Sequence, residues 1–161
     1  LGDVYKRQIP DSFEIARKMG LSYSFGIANL TSAHPNSVVL EVKGKSGRTL
    51  EVQACSLGGG RIMINRLDGL DVNCSCEIPT LIVHNLDQPG HVAEVTSMLA
   101  HKSVNIANMS LYRDKRGGSA VMVVEMDQPL PKESLEWLEH REGIVKVTYI
   151  NVTEGEEDDV L

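Results

Sequence analysis

The chain has 161 residues and a net charge of −6; it is 42% hydrophobic but only 4% aromatic. That is enough for one domain or two small ones around an aliphatic core. No apolar run reaches transmembrane length and no secretory signal is visible, so no membrane partner and a cytoplasmic location are expected. Without the acidic end of the chain the body is near neutral, which leaves no electrostatic footprint for nucleic acid.

Residues 1–8 (LGDVYKRQ) fit nothing that follows. They resemble a translated adaptor read at the end of a truncated fragment and are set aside as a non-native leader, with the native start expected further upstream. Residues 11–20 read as a helix, with Asp11 and Glu14 as a capping box and Gly20 as its C′ stop. Leu21, Tyr23, Phe25 and Ile27 then alternate with Ser22, Ser24 and Gly26, which predicts a strand. After the His34-Pro35-Asn36 turn, Val38, Leu40 and Val42 alternate, and a hairpin turn at 44–47 leads to a return strand through Leu50, Val52 and Ala54. Residues 56–60 (SLGGG) read as a loop, Ile62 and Ile64 as a short strand, and Asp68-Gly69 as a turn. Leu70, Val72, Cys74, Cys76 and Ile78 mark one more strand.

From Pro79 the pattern changes. It predicts a strand at 81–84, a helix at 90–102, a strand through Ala107, Met109 and Leu111, and a hairpin loop at 114–118. A buried strand at 120–126, a helix at 132–140 and a strand through Val145, Val147 and Tyr149 follow. The order βαββαβ is a ferredoxin-like split unit. The fold class is α+β: a mainly antiparallel segment with one helix at 9–78, a ferredoxin-like domain at 79–152, and an acidic tail at 153–161 with five acids and no base. No repeat links the two halves.

The richest stretch runs from Thr80 to Val95: an apolar strand, then Asn85, Asp87, Pro89 and Gly90, then a helix start. Unpaired N–H groups and partial positive charge at a helix start can hold a carboxylate, here from Gly90 and His91. Asn85, Asp87 and Asn105 supply acceptors for an ammonium, so the candidate ligand is a small amino acid. Asn105 starts the next strand and is expected on the same edge of the sheet as the residues before Gly90. When two units pair, Asn105 of one can then face Asp87 of the other.

Asn85-Leu86-Asp87-Gln88-Pro89-Gly90 with Val104-Asn105-Ile106 resembles the ACT domain, a regulatory module that binds amino acids between paired copies. Upstream, residues 10–14 (PDSFE), 38–51, 56–60 and Asp68-Gly69 resemble the end of the beta chain of iron–sulfur-dependent L-serine dehydratase, also called L-serine ammonia-lyase. The resemblance implies a separate alpha chain that holds a 4Fe-4S cluster and converts L-serine to pyruvate and ammonia, with the beta chain assisting and regulating. The expected partners are that alpha chain, a second copy through ACT pairing, and a small amino acid such as L-serine. A free-standing amino-acid-binding regulator is the alternative.

Nothing in the chain forms a catalytic set: no Ser-His-Asp or paired-carboxylate arrangement stands out. His34, His84 and the other histidines are scattered and read as structural or surface residues. Residues 56–60 lack the Lys-Ser/Thr of a phosphate loop. Cys55, Cys74 and Cys76 are not a metal signature. Cys74 and Cys76 continue an apolar alternation, which predicts core packing on one strand face and no disulfide.

Overall fold

A computed structural model describes residues 10–31 and 33–151. The leader at 1–8 and the acidic tail lie outside the described residues. The chain forms two units, Leu1–Ser32 and Ala33–Leu161.

The first unit carries helix α1 (Ser12–Lys18). Its end is a Schellman motif: Gly20 N–H donates to Arg17 O at 3.0 Å and Leu21 N–H to Ala16 O at 2.9 Å, with Gly20 at φ 79°. The capping box does not form. Asp11 makes no side-chain cap, and Glu14 pairs with Lys18 one turn on at 2.8 Å. The strand predicted from Leu21 to Ile27 is also absent. A strand needs a neighbour for its backbone groups, and here the aromatics find partners instead. Tyr23 stacks on Phe13 at 5.2 Å between centroids, and Phe25 meets both rings edge-on at 5.7 and 5.8 Å.

The second unit begins with an antiparallel meander: β1 (Ser37–Lys43), β2 (Thr49–Gly58), β3 (Arg61–Leu67) and β4 (Leu70–Cys74), paired in that order. The residues expected as a loop at 56–60 are mostly strand. Ser56 pairs with Ile62 and Gly58 with Arg61, so only Gly59-Gly60 turn the chain. Gly58, Gly59 and Gly60 all have positive φ, which is the use of three consecutive glycines. The last predicted strand stops early, because Cys76 lies in the left-handed region at φ 54°.

β5 (Thr80–Leu86), α2 (His91–His101), β6 (Ile106–Arg113), β7 (Ser119–Met126), α3 (Lys132–Glu139) and β8 (Ile144–Ile150) follow. The sheet order is β6-β7-β5-β8, with every pairing antiparallel. This is the ferredoxin-like split unit predicted from the sequence. Leu81 and Val83 of β5 and Met122, Val124 and Met126 of β7 pack against Val95 and Leu99 of α2 and Leu138 of α3. On the other face, Ile82, Val121 and Val123 pack against Ala54, Ile64, Leu67 and Val72 of the meander. The two central strands are therefore covered on both sides, which explains their unbroken apolar runs.

A polar cluster crosses the meander contact. The Lys146 ammonium meets Asp68 Oδ2 at 2.5 Å and Thr49 O at 2.8 Å, and His84 Nε2 lies 3.5 Å from Asp68 Oδ2. Burial pushes the His84 imidazole below its ordinary value, against the pull of the Asp68 carboxylate. Burial pushes Asp68 up, but the Lys146 ammonium and the Glu51 N–H together hold it below the usual carboxylate range. Both groups bind fewer protons folded than unfolded, so both contributions are full at neutral pH and fade on acidification. Stability against urea is expected to fall as the pH drops below about 6.5, the unperturbed histidine value. His84→Gln should flatten that limb, and a variant with unchanged pH dependence would refute the assignment.

Candidate functional site

β5 ends where its apolar run gives way to Asn85, Leu86 and Asp87. The strand end stays tied down: Leu86 N–H donates to Gly143 O and Asp87 N–H to Gly118 O, each at 2.9 Å. Gly90 then turns the chain at φ 109°, a conformation open to glycine and costly for other residues. Its carbonyl accepts the first helical bond, from Glu94 N–H at 2.9 Å. No side chain caps this 11-residue helix, so its first-turn N–H groups carry the partial positive charge of an uncapped start.

Asp87 sits at the mouth of this turn. Its Oδ2 accepts from Gly117 N–H at 2.9 Å and from Arg113 Nη1 at 3.2 Å. The Gly117 N–H and the Arg113 guanidinium hold its carboxyl below the usual carboxylate range, so it is ionised at neutral pH. Arg113 and Gly117 belong to the β6–β7 hairpin, which the sequence reading treated as a plain loop. The sheet order was the available signal, since it sets that hairpin beside the end of β5.

Asn85 and His91 lie beneath the turn. Asn85 is 6% exposed and shares the helix-facing side of β5 with Leu81 and Val83. Its Nδ2 donates to Leu86 O at 2.6 Å, while its Oδ1 is buried with no partner in the described structure. Asn85 therefore lies below Asp87 with one amide oxygen left unpaired. The His91 ring lies over Gly143, where a Cβ would come within 2.5 Å of Cε1 and Nε2. Its Nδ1 is 3.7 Å from Glu94 Oε2, and Arg141 pairs with the other oxygen of the same carboxylate. These contacts fasten the start of α2 to the α3–β8 turn.

Asn105 is where the structure corrects the sequence reading. β6 runs in the same direction as β5, because each is antiparallel to β7. Asn105 precedes Ile106, whose partner Met126 is at the far end of β7 from Ser119, the partner of Leu86. Asn105 and Asp87 of one chain thus lie at opposite ends of the sheet, roughly 30 Å apart at the rise of an extended strand. Asn105 there bonds Asp127 Oδ2 through Nδ2 at 2.5 Å and Gln128 Oε1 through its N–H at 2.7 Å. The structure brings together Asn85, Asp87, Gly90 and His91, and leaves Asn105 out.

The two sheet edges differ. Along β8, Arg48 of the meander donates to Val147 O and pairs with Glu139 at 3.3 Å. β6 has β7 on one side and is the other edge, where Leu111 is 56% exposed.

A 4Fe-4S cluster is held by converging cysteine thiolates, and the chain has three cysteines. Cys74 and Cys76 are packed in the apolar contact between the sheets. Cys55 falls on the opposite face of β2 from Ala54, a member of that same contact. These residues do not fit the cluster. Among the described residues, no group of three His, Cys, Asp or Glu side chains is placed to hold a metal ion.

The split βαββαβ unit and its strand–turn–helix site define an ACT-domain protein, and the ACT domain family model matches residues 79–139. The chain is 30% identical over 148 residues to a probable L-serine dehydratase beta chain of Bacillus subtilis, covering 92% of this chain and 67% of that protein. It is 32% identical over 124 residues to the L-serine dehydratase beta chain of Peptoniphilus asaccharolyticus, covering 76% and 56%. It belongs to the L-serine dehydratase beta-chain family. A D-3-phosphoglycerate dehydrogenase of Bacillus subtilis is 25% identical over 139 residues, covering 86% of this chain and 26% of that enzyme. That span exceeds the ACT match, so the meander half combined with an ACT domain is not peculiar to dehydratases. No described helix is long and apolar enough to cross a membrane.

Proposed function

We propose that this chain is the regulatory beta subunit of an L-serine dehydratase and senses a small amino acid, L-serine foremost. It would act with a catalytic alpha chain that carries the 4Fe-4S cluster and converts L-serine to pyruvate and ammonia. The carrying observation is the turn from Asp87 to Gly90: an ionised carboxylate beside an uncapped helix start. That pair complements a zwitterion, with the ammonium at Asp87 and the carboxylate at the N–H groups of Gly90 and His91.

Asn105 enters this reading only from a second copy. Two chains paired antiparallel along β6 would set the start of one β6 against the end of the other, bringing Asn105 to the Asp87 end of its neighbour. The β6 edge suits such sheet extension, since the β8 edge is already engaged by Arg48. Ligand binding would then favour one arrangement of the pair over another, which is how a sensor passes a signal to an enzyme. The match to a dehydrogenase of different chemistry supports a regulatory role for the region, because a portable unit carries no catalytic set.

Calorimetry with L-serine tests the site. Asp87→Ala should weaken binding at least about tenfold, the loss expected for a charge-assisted hydrogen bond. Unchanged binding in the variant would rule out the turn as the ammonium site.

A further inference from the structure

Cys74 and Cys76 would face one way at a strand's length if β4 continued through both. Instead the strand ends at Cys74, and Cys76 adopts a left-handed backbone that a residue with a Cβ rarely takes. The turn folds the second side chain back, so the two Sγ atoms lie 3.6 Å apart. The backbone is pinned on both sides: Ser75 Oγ bonds Glu125 Oε1 at 3.4 Å and accepts from Glu77 N–H at 3.3 Å. Met126 N–H donates to Pro79 O at 2.8 Å. All three thiols are free and buried, but Cys55 is on the other side of its strand and cannot join the pair.

We infer that Cys74 and Cys76 form a modification site, a dithiol that a hydroperoxide closes to an intrachain disulfide. The Cys74 S–H donated to Cys76 lowers the second thiol and raises the first, so Cys76 ionises ahead of Cys74. The Cys76 thiolate attacks a peroxide oxygen: an S–O bond forms, the O–O bond breaks, and the departing hydroxide takes up the proton that Cys76 released on ionising. Cys74 then attacks that sulfur. The S–S bond forms, the S–O bond breaks, and the departing hydroxide leaves as water with the Cys74 proton. Two thiols lose two electrons, and hydrogen peroxide is reduced to two waters. Cys74 is 3% exposed and Cys76 6%, so the oxidant reaches the pair when the connection opens locally. The product would lock the connection from the meander to β5, where Cys74 and Cys76 pack with Val72, Ile82 and Val123.

The test treats the folded full chain with hydrogen peroxide, then unfolds it, alkylates it and weighs its peptides. The expected product has one alkylated thiol, on Cys55, and a Cys74–Cys76 peptide lighter by two hydrogens, which dithiothreitol reverses. Three alkylated thiols, or oxidation that stops at sulfinic acid on either partner, would overturn the assignment. So would loss of Cys55 in step with the pair, which would place the chemistry in the unfolded chain. In Cys74→Ser, Cys76 should run on to sulfinic acid; a disulfide between Cys76 and Cys55 in that variant would also contradict the pairing.

Discussion

Gly143→Val is expected to cost about 3 kcal/mol or more of folding stability, combining left-handed backbone strain with overpacking against a ring. Gly143 has φ 79°, and its missing Cβ is the space the His91 ring occupies, 2.5 Å away. The ring cannot simply swing aside, because it is buried at the first turn of α2. The same substitution should therefore disturb the helix start and weaken amino-acid binding along with stability. Urea denaturation gives the first quantity and calorimetry the second. A valine variant as stable as the parent would show that the turn and the helix are not in contact.

Leu99→Ala is the second large effect, at about 2–5 kcal/mol for a leucine truncated in a tight core. Leu99 is fully buried between α2 and the sheet, among Leu81, Val95, Met122 and Leu138. Leu40 on β1 is 49% exposed and serves as the control. Leu40→Ala removes the same atoms from a site that has not left water, so it should cost under about 1 kcal/mol. Equal losses in the two variants would mean that the apolar layer beneath α2 is not what holds the ACT half together.

The ferredoxin-like order was legible because period and punctuation agreed at every element after Pro79. The second layer was legible too, but only in a subtler signal. Leu81-Ile82-Val83 and Val121 to Val124 are apolar at consecutive positions, which a sheet exposed on one face does not need. The alternation from Leu21 to Ile27 misled, because periodicity reports which faces differ and not whether a partner strand exists. Asp87, Gly90 and His91 could be placed from local sequence, since a strand–turn–helix is local. The clamp on Asp87 by Arg113 and Gly117, the seat of His91 on Gly143, and the distance of Asn105 are all contacts between elements. They follow from strand direction and order, which no short motif encodes.

We propose that the amino-acid site is shared between two copies, with Asp87 from one and Asn105 from the other. Mixing two non-binding variants tests it directly. Asp87→Ala and Asn105→Ala should each lose L-serine binding in calorimetry. Co-refolded in equal amounts, they should recover it, because every mixed pair contains one site with both native residues, about one site in four overall for a twofold dimer. A mixture as inert as its components, or an Asn105→Ala chain that binds like the parent, would contradict the shared site.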